Sequence, residues 1–174
     1  MKKYSIVLCF CCLSFLLACG GNNSGNKFTS KAGQYEIEFP GEPKLSERKV
    51  LLDSLGGVDT ELAAWENEQV ACWVSVATYN DEQLAAYAKD TTAFLSSLQA
   101  AALQNLGMQL KSEQRDSLVL GLSFSAESID RKANCRIRWQ GQRLYQLGWV
   151  NKSSKPDSLW ANREKRFFES FKAQ

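Results

Sequence analysis

No histidine occurs anywhere in the 174 residues. That absence excludes Ser-His-Asp and Cys-His catalytic engines and the usual zinc–imidazole sites. There is no long apolar run either: the longest, Tyr4 through Leu17, covers about 21 Å as a helix at 1.5 Å per residue, against a hydrocarbon core of about 30 Å. It is too short for a comfortable permanent span. Internal repeats are missing, and so is a charge excess of one sign. Once Lys2 and Lys3 are set aside, the remaining Lys plus Arg balance the 19 Asp plus Glu, which gives no support for bulk nucleic-acid binding.

What is present at the N-terminus has the three parts of a secretory signal: the positive Lys2-Lys3, the apolar Tyr4–Leu17, and small residues at a cleavage point. Leu16-Leu17-Ala18-Cys19 resembles the lipobox of bacterial lipoproteins. The resemblance implies a diacylglycerol thioether on Cys19, cleavage before it, and acylation of the new amino terminus. Several acyl chains, at about 0.8 kcal/mol per buried CH₂, hold a protein to a bilayer without a spanning helix. The following Gly20-Gly21-Asn22-Asn23-Ser24-Gly25-Asn26 lacks any large apolar residue and reads as a flexible tether. Gly20 is not aspartate and no acidic run follows Cys19. The expected location is the cell envelope, lipid-anchored at the outer membrane and facing the periplasm. The expected division is a signal over 1–18, the lipidated cysteine and tether over 19–27, and one globular domain over 28–174, within the usual size of a single domain.

Six cysteines occur, of which Cys9, Cys11 and Cys12 belong to the signal and Cys19 to the anchor. Cys72 and Cys135 remain. The envelope permits a disulfide between them, yet each alternates with apolar strand residues, as two separate buried thiols do. Both readings stand at this point.

Period-2 alternation marks a strand at Tyr35, Ile37 and Phe39, ended by Pro40-Gly41. Strands over 45–54 and 58–66, joined at Gly56-Gly57, and a third over 70–79 make one antiparallel meander. Asn80 with Gln83 forms a capping box at the start of a helix that runs to Leu106 before Gly107, with Lys89-Asp90-Thr91-Thr92 as a place to split it. A second meander follows over 108–114, 117–128, 133–139 and 143–150. If Cys135, Ile137 and Trp139 point the same way as Tyr145, Leu147 and Trp149, the intervening connection has odd length. A three-residue or bulged hairpin with Gly141 left-handed is then expected. A last helix starts near Pro156-Asp157 and buries Trp160, Phe167 and Phe171. The fold class is α+β: a twisted antiparallel sheet of about 7–8 strands in two meanders, with helices packed on its faces.

Three segments carry a family resemblance: Tyr35-Glu36-Ile37-Glu38-Phe39-Pro40-Gly41-Glu42-Pro43, Arg143-Leu144-Tyr145-Gln146-Leu147, and Arg166-Phe167-Phe168-Glu169-Ser170-Phe171. In that order they resemble small bacterial PsbP-like or DcrB-like lipoproteins. The resemblance implies an α/β/α sandwich and an accessory role, and supplies no catalytic motif.

Arg136 and Arg138 share a strand face beside Arg131 and Lys132, an arrangement that suits an anion or, more simply, a solvated surface. Trp65 and Trp73 are the tryptophans expected to be exposed at an interface. Glu36 with Glu38 and Glu66 with Glu68 lack the spacing of a calcium loop. Ser46-Glu47-Arg48-Lys49 matches an S-x-x-K pattern, but without the helix start and companion motifs of penicillin-binding enzymes. No metal site and no cofactor beyond the covalent lipid is expected. These features describe a non-catalytic, membrane-anchored module for another envelope protein. A small-ligand carrier or sensor, with a pocket between sheet and helices, is the alternative.

Overall fold

The computed structural model describes residues 25–52, 56–116, 120–153 and 157–174. The signal segment and Cys19 lie outside them, as does Pro156. Ten strands and three helices follow in chain order. They are β1 (Asn26–Ser30), β2 (Tyr35–Phe39), β3 (Lys44–Leu52), β4 (Gly56–Glu66), β5 (Val70–Thr78), α1 (Asp81–Ala88), α2 (Thr91–Leu106), β6 (Gln109–Asp116), β7 (Gly121–Glu127), β8 (Lys132–Gln140), β9 (Arg143–Asn151), α3 (Ser158–Ser170) and β10 (Lys172–Ala173).

Seven strands form one antiparallel sheet in the order β3-β4-β5-β9-β8-β7-β6. The two meanders are therefore joined by pairing the last strand of each, β5 with β9. The helices α1 and α2 occupy the connection between meanders, and the 7-stranded sheet carries the α+β class read from the sequence. The strand at Tyr35–Phe39 does not extend the first meander. It lies between β1 and β10 in a separate 3-stranded sheet, because β10, from the end of the chain, takes its free edge.

The large sheet is covered on both sides, which corrects the face assignment above. Residues directly opposite in an antiparallel ladder share a face. Cys135, Ile137 and Trp139 stand opposite Gly148, Gln146 and Leu144, whereas Tyr145, Leu147 and Trp149 stand opposite Arg138, Arg136 and Asn134. The two apolar sets point to opposite faces. Gln140 pairs with Arg143, so the connection is the two-residue turn Gly141-Gln142. Gly141 is left-handed, at φ 57°, as a tight hairpin turn requires. On one face Tyr145, Leu147, Trp149, Cys72, Val74 and Val76 pack under α3 and the small sheet, against Tyr35, Phe39, Trp160 and Phe167. On the other, Leu144, Cys135, Ile137, Leu122 and Phe124 pack under α1 and α2. A strand such as β9, largely buried on both sides, carries apolar residues of both parities rather than a clean alternation.

Local signals place the helices. Asn80 accepts from the Gln83 backbone and the Gln83 side chain accepts from the Asn80 N–H, both at 2.9 Å. Asp90 caps the second helix through the Ala93 N–H at 2.8 Å, so the helical stretch does split where polar residues interrupt it. Gly107 ends α2 at φ 62°. Asp157 caps α3. The glycines expected as a hairpin turn sit instead at the start of β4, Gly57 opposite Leu51 and Gly56 opposite Leu52. The connection expected there, residues 53–55, lies outside the described residues.

Candidate functional site

The sequence-derived residues do not assemble into one centre. Trp65 faces Cys72 across the β4–β5 ladder, while Trp73 faces Ala64 and Gly148, so the two tryptophans sit on opposite faces of the sheet. Both are half-buried rather than exposed. Trp65 packs on Trp160, ring centres 6.0 Å apart. Trp73 lies over Gly148, where a β-carbon would meet its ring at 2.0 Å. They come together only at the rim of a cleft of about 640 Å³ lined by Leu62, Ala64, Ala71, Trp65, Trp73 and Lys44, among others. The end of α2 borders this region, Asn105 lining an adjoining cleft with Leu62 and Trp73.

Arg136 and Arg138 do share a face, on the α3 side of β8. Arg136 is tied down: its guanidinium lies over the Phe168 ring at 4.6 Å and donates to the Phe168 carbonyl at 3.4 Å. Desolvation, and then the neighbouring Arg138, lower its pKa. The adjoining cleft of about 650 Å³ is lined by serines and by Glu113 and Glu164 as well as Arg136. Glu164 accepts from Asn134 and from Asn151, the latter at 3.3 Å. A face holding carboxylates beside arginine is a solvated surface more than an anion trap.

Cys72 and Cys135 are free and buried. Their strands are separated by β9 and their side chains point to opposite faces, which leaves two separate core thiols. Burial drives both thiols upward in pKa, Cys135 to about 12, so neither is a nucleophile.

A polar cluster that sequence reading missed lies on the α3 face near the start of the small sheet. Glu61 on β4 is only 6% exposed. Its Oε2 accepts from Ser30 Oγ at 2.7 Å, and Oε1 has no hydrogen-bond partner. The Tyr35 hydroxyl and Arg143 Nε are likewise buried without partners. Burial first, and then the Glu61 carboxylate, hold the Tyr35 phenol far above its ordinary range, although the pair falls short of a formed hydrogen bond. The Tyr145 hydroxyl donates to Gly33 O at 3.0 Å, fixing the turn that closes the cluster. In that turn Gln34 takes φ 51°, a left-handed conformation unusual for a non-glycine residue. Glu61, Arg143 and Gly33 line a cleft of about 460 Å³. The only sequence signal for it was a glutamate on the apolar side of β4, at a position opposite Val76. Among the described residues no group of three or more His, Cys, Asp or Glu is placed to hold a metal ion.

The architecture has a solved counterpart. The solution structure of cyanobacterial PsbP (CyanoP) from Synechocystis sp. PCC 6803 matches with a TM-score of 0.53, covering 91% of this chain and 99% of that one at 12% identity. The fold is PsbP-like. At that identity the likeness concerns the fold, and function has to be argued from the sites. No family model and no curated protein matches the chain.

Proposed function

We propose that this protein is a lipid-anchored envelope lipoprotein, DcrB-like in its organisation, held at the outer membrane facing the periplasm. Its PsbP-like domain acts as a non-catalytic accessory module for another envelope protein. The observation that carries the reading is the open cleft beside Trp73, where half-buried Leu62, Ala64 and Ala71 form an apolar sheet surface at the border of α2. Partly exposed aromatics beside aliphatic side chains are the composition of protein interfaces. The anchor supports an envelope partner specifically. Gly25 leads directly into β1, and the six residue-to-residue steps from Cys19 to Gly25 reach at most about 20 Å, which confines the domain to the membrane surface. A partner in or near that membrane meets it at high effective concentration.

The test places a photo-crosslinking residue at Leu62 in the full-length protein in its source cells, with Ile129, fully exposed on a distant turn, as the comparison site. One envelope protein captured reproducibly from position 62 and not from 129 is expected. Capture should weaken in Cys19→Ala, which releases the domain from the membrane. Equal capture from both positions, or membrane retention unchanged in Cys19→Ala, overturns the reading.

A further inference from the structure

We propose that the cleft between Glu61 and Arg143 binds a small amino-acid-like zwitterion, its ammonium directed to Glu61 and its carboxylate to Arg143. The inference is independent of the protein-docking cleft, which lies at another rim of the sheet.

Orphaned polar groups carry the argument. A buried acceptor or donor without a partner costs about 1–3 kcal/mol, more when charged, and native proteins keep few of them. Here two belong to residues that line one cleft, Glu61 Oε1 and Arg143 Nε, and the unpartnered Tyr35 hydroxyl lies behind them beside Glu61. The Arg143 guanidinium makes no hydrogen bond or ion pair in the described residues. It is unpaired although Glu47, Asp59 and Glu61 line the same cleft. Register explains why. Glu61 stands opposite Val76 and Tyr145, and Arg143 opposite Thr78, so the two residues are two strands apart and offset by two positions along the sheet. That is about 10 Å across and about 7 Å along the backbone. The gap between their charges has the floor of Val76 and Thr78 and the volume of a small-molecule site.

The chemistry of the gap selects the ligand. A simple anion at Arg143 would face three carboxylates, and a simple cation at Glu61 would face two guanidiniums, Arg48 and Arg143. A molecule bearing both signs, separated by its own short backbone, satisfies the orphan acceptor and the orphan donor together. Entry requires a rotamer change at Arg143, because the orphan atoms are enclosed; a guanidinium tied to nothing permits it. Ala32 and Gly33, the latter held through its carbonyl by the Tyr145 hydroxyl, form the adjoining wall.

The experiment is calorimetric titration of the mature lipidated protein in detergent with glycine, L-alanine and L-lysine. Propionate and n-butylamine serve as single-charge probes. At least one amino acid should bind about tenfold or more tightly than either single-charge probe, with affinity lowered about tenfold or more in Arg143→Gln and in Glu61→Gln. Lys165→Ala, at the Arg136 cleft on another part of the face, should leave it unchanged. If Glu61→Gln fails to fold for loss of the Ser30 contact, Arg143→Gln decides alone, since that guanidinium makes no hydrogen bond or ion pair in the described residues. Absence of binding by all three amino acids overturns the proposal and assigns the orphan groups to bridging water. Propionate binding as tightly as an amino acid overturns it in favour of a plain anion site. Neither result touches the crosslinking outcome at Leu62.

Discussion

At the scale of single residues, close packing of backbone against ring sets the most sensitive position. Gly148 lies beneath the Trp73 indole, and an added β-carbon would lie 2.0 Å from one ring carbon and 2.3 Å from another. The ring cannot simply swing away, because it is packed among the residues of two core clusters. Gly148→Ala should therefore destabilise the protein by about 1–3 kcal/mol, measured as a lower midpoint in urea with an unchanged slope. A midpoint equal to that of the wild type would mean that Trp73 is free to move. This demand on position 148 was illegible in the chain, where Gly148 sits inside the apolar run Tyr145–Val150 with no turn signal around it. The cluster of Glu61, Tyr35 and Arg143 was hidden for a related reason. Its members come from β4, β2 and β9, and only the stacking of the small sheet on the large one makes them neighbours.

At the scale of elements, local chemistry was readable and proved accurate where it acts within a few residues. The Asn80–Gln83 capping box, the interruption before Asp90 and the left-handed Gly107 are all formed. Asn80→Ala should cost about 0.5–2 kcal/mol. Gln83 also donates to the Gly57 carbonyl at 3.3 Å, so losing the cap also loosens the contact between α1 and the β3–β4 hairpin. The check is chemical denaturation of Asn80→Ala beside Asn80→Asp, which retains an accepting oxygen and should recover most of the loss; equal destabilisation by both would remove the cap as the cause. The β8–β9 turn shows where element reasoning fails. Gly141 was placed correctly, but the turn length was inferred from an assumption that one sheet face is buried. Both faces are buried, and a two-residue turn is what results.

At the scale of the molecule, the layers bury titratable groups that carry no charge in the native state. Burial raises Cys72, Cys135 and Tyr79, the last two to about 12, and raises Tyr35 further with help from Glu61. Their ordinary values are 9.0 for the thiols and 10.0 for the phenols. Below pH 9 both folded and unfolded chains keep these protons, and the stabilisation is complete. Above it the unfolded chain releases them first, so the native state holds more protons and stability falls as pH rises. Thermal midpoints should decline progressively from about pH 9 upward. Cys72→Ala with Cys135→Ala should delay the onset toward the phenol range. An onset unmoved by removing both thiols would assign the alkaline loss to the tyrosines alone.

By itself the sequence determined what depends on neighbours in the chain: the caps, most strand positions, the two meanders and the antiparallel α+β class. It also excluded histidine chemistry outright. Tertiary structure alone decided that the meanders join through β5 and β9, that β2 leaves the large sheet for β1 and β10, and that Cys72 and Cys135 lie on opposite faces. The physical reason is that side-chain alternation records whether a residue is buried but not which layer buries it. With helices on one face and a second sheet with α3 on the other, apolar residues of either parity are equally satisfied. The choice between faces is made by packing between segments far apart in the chain.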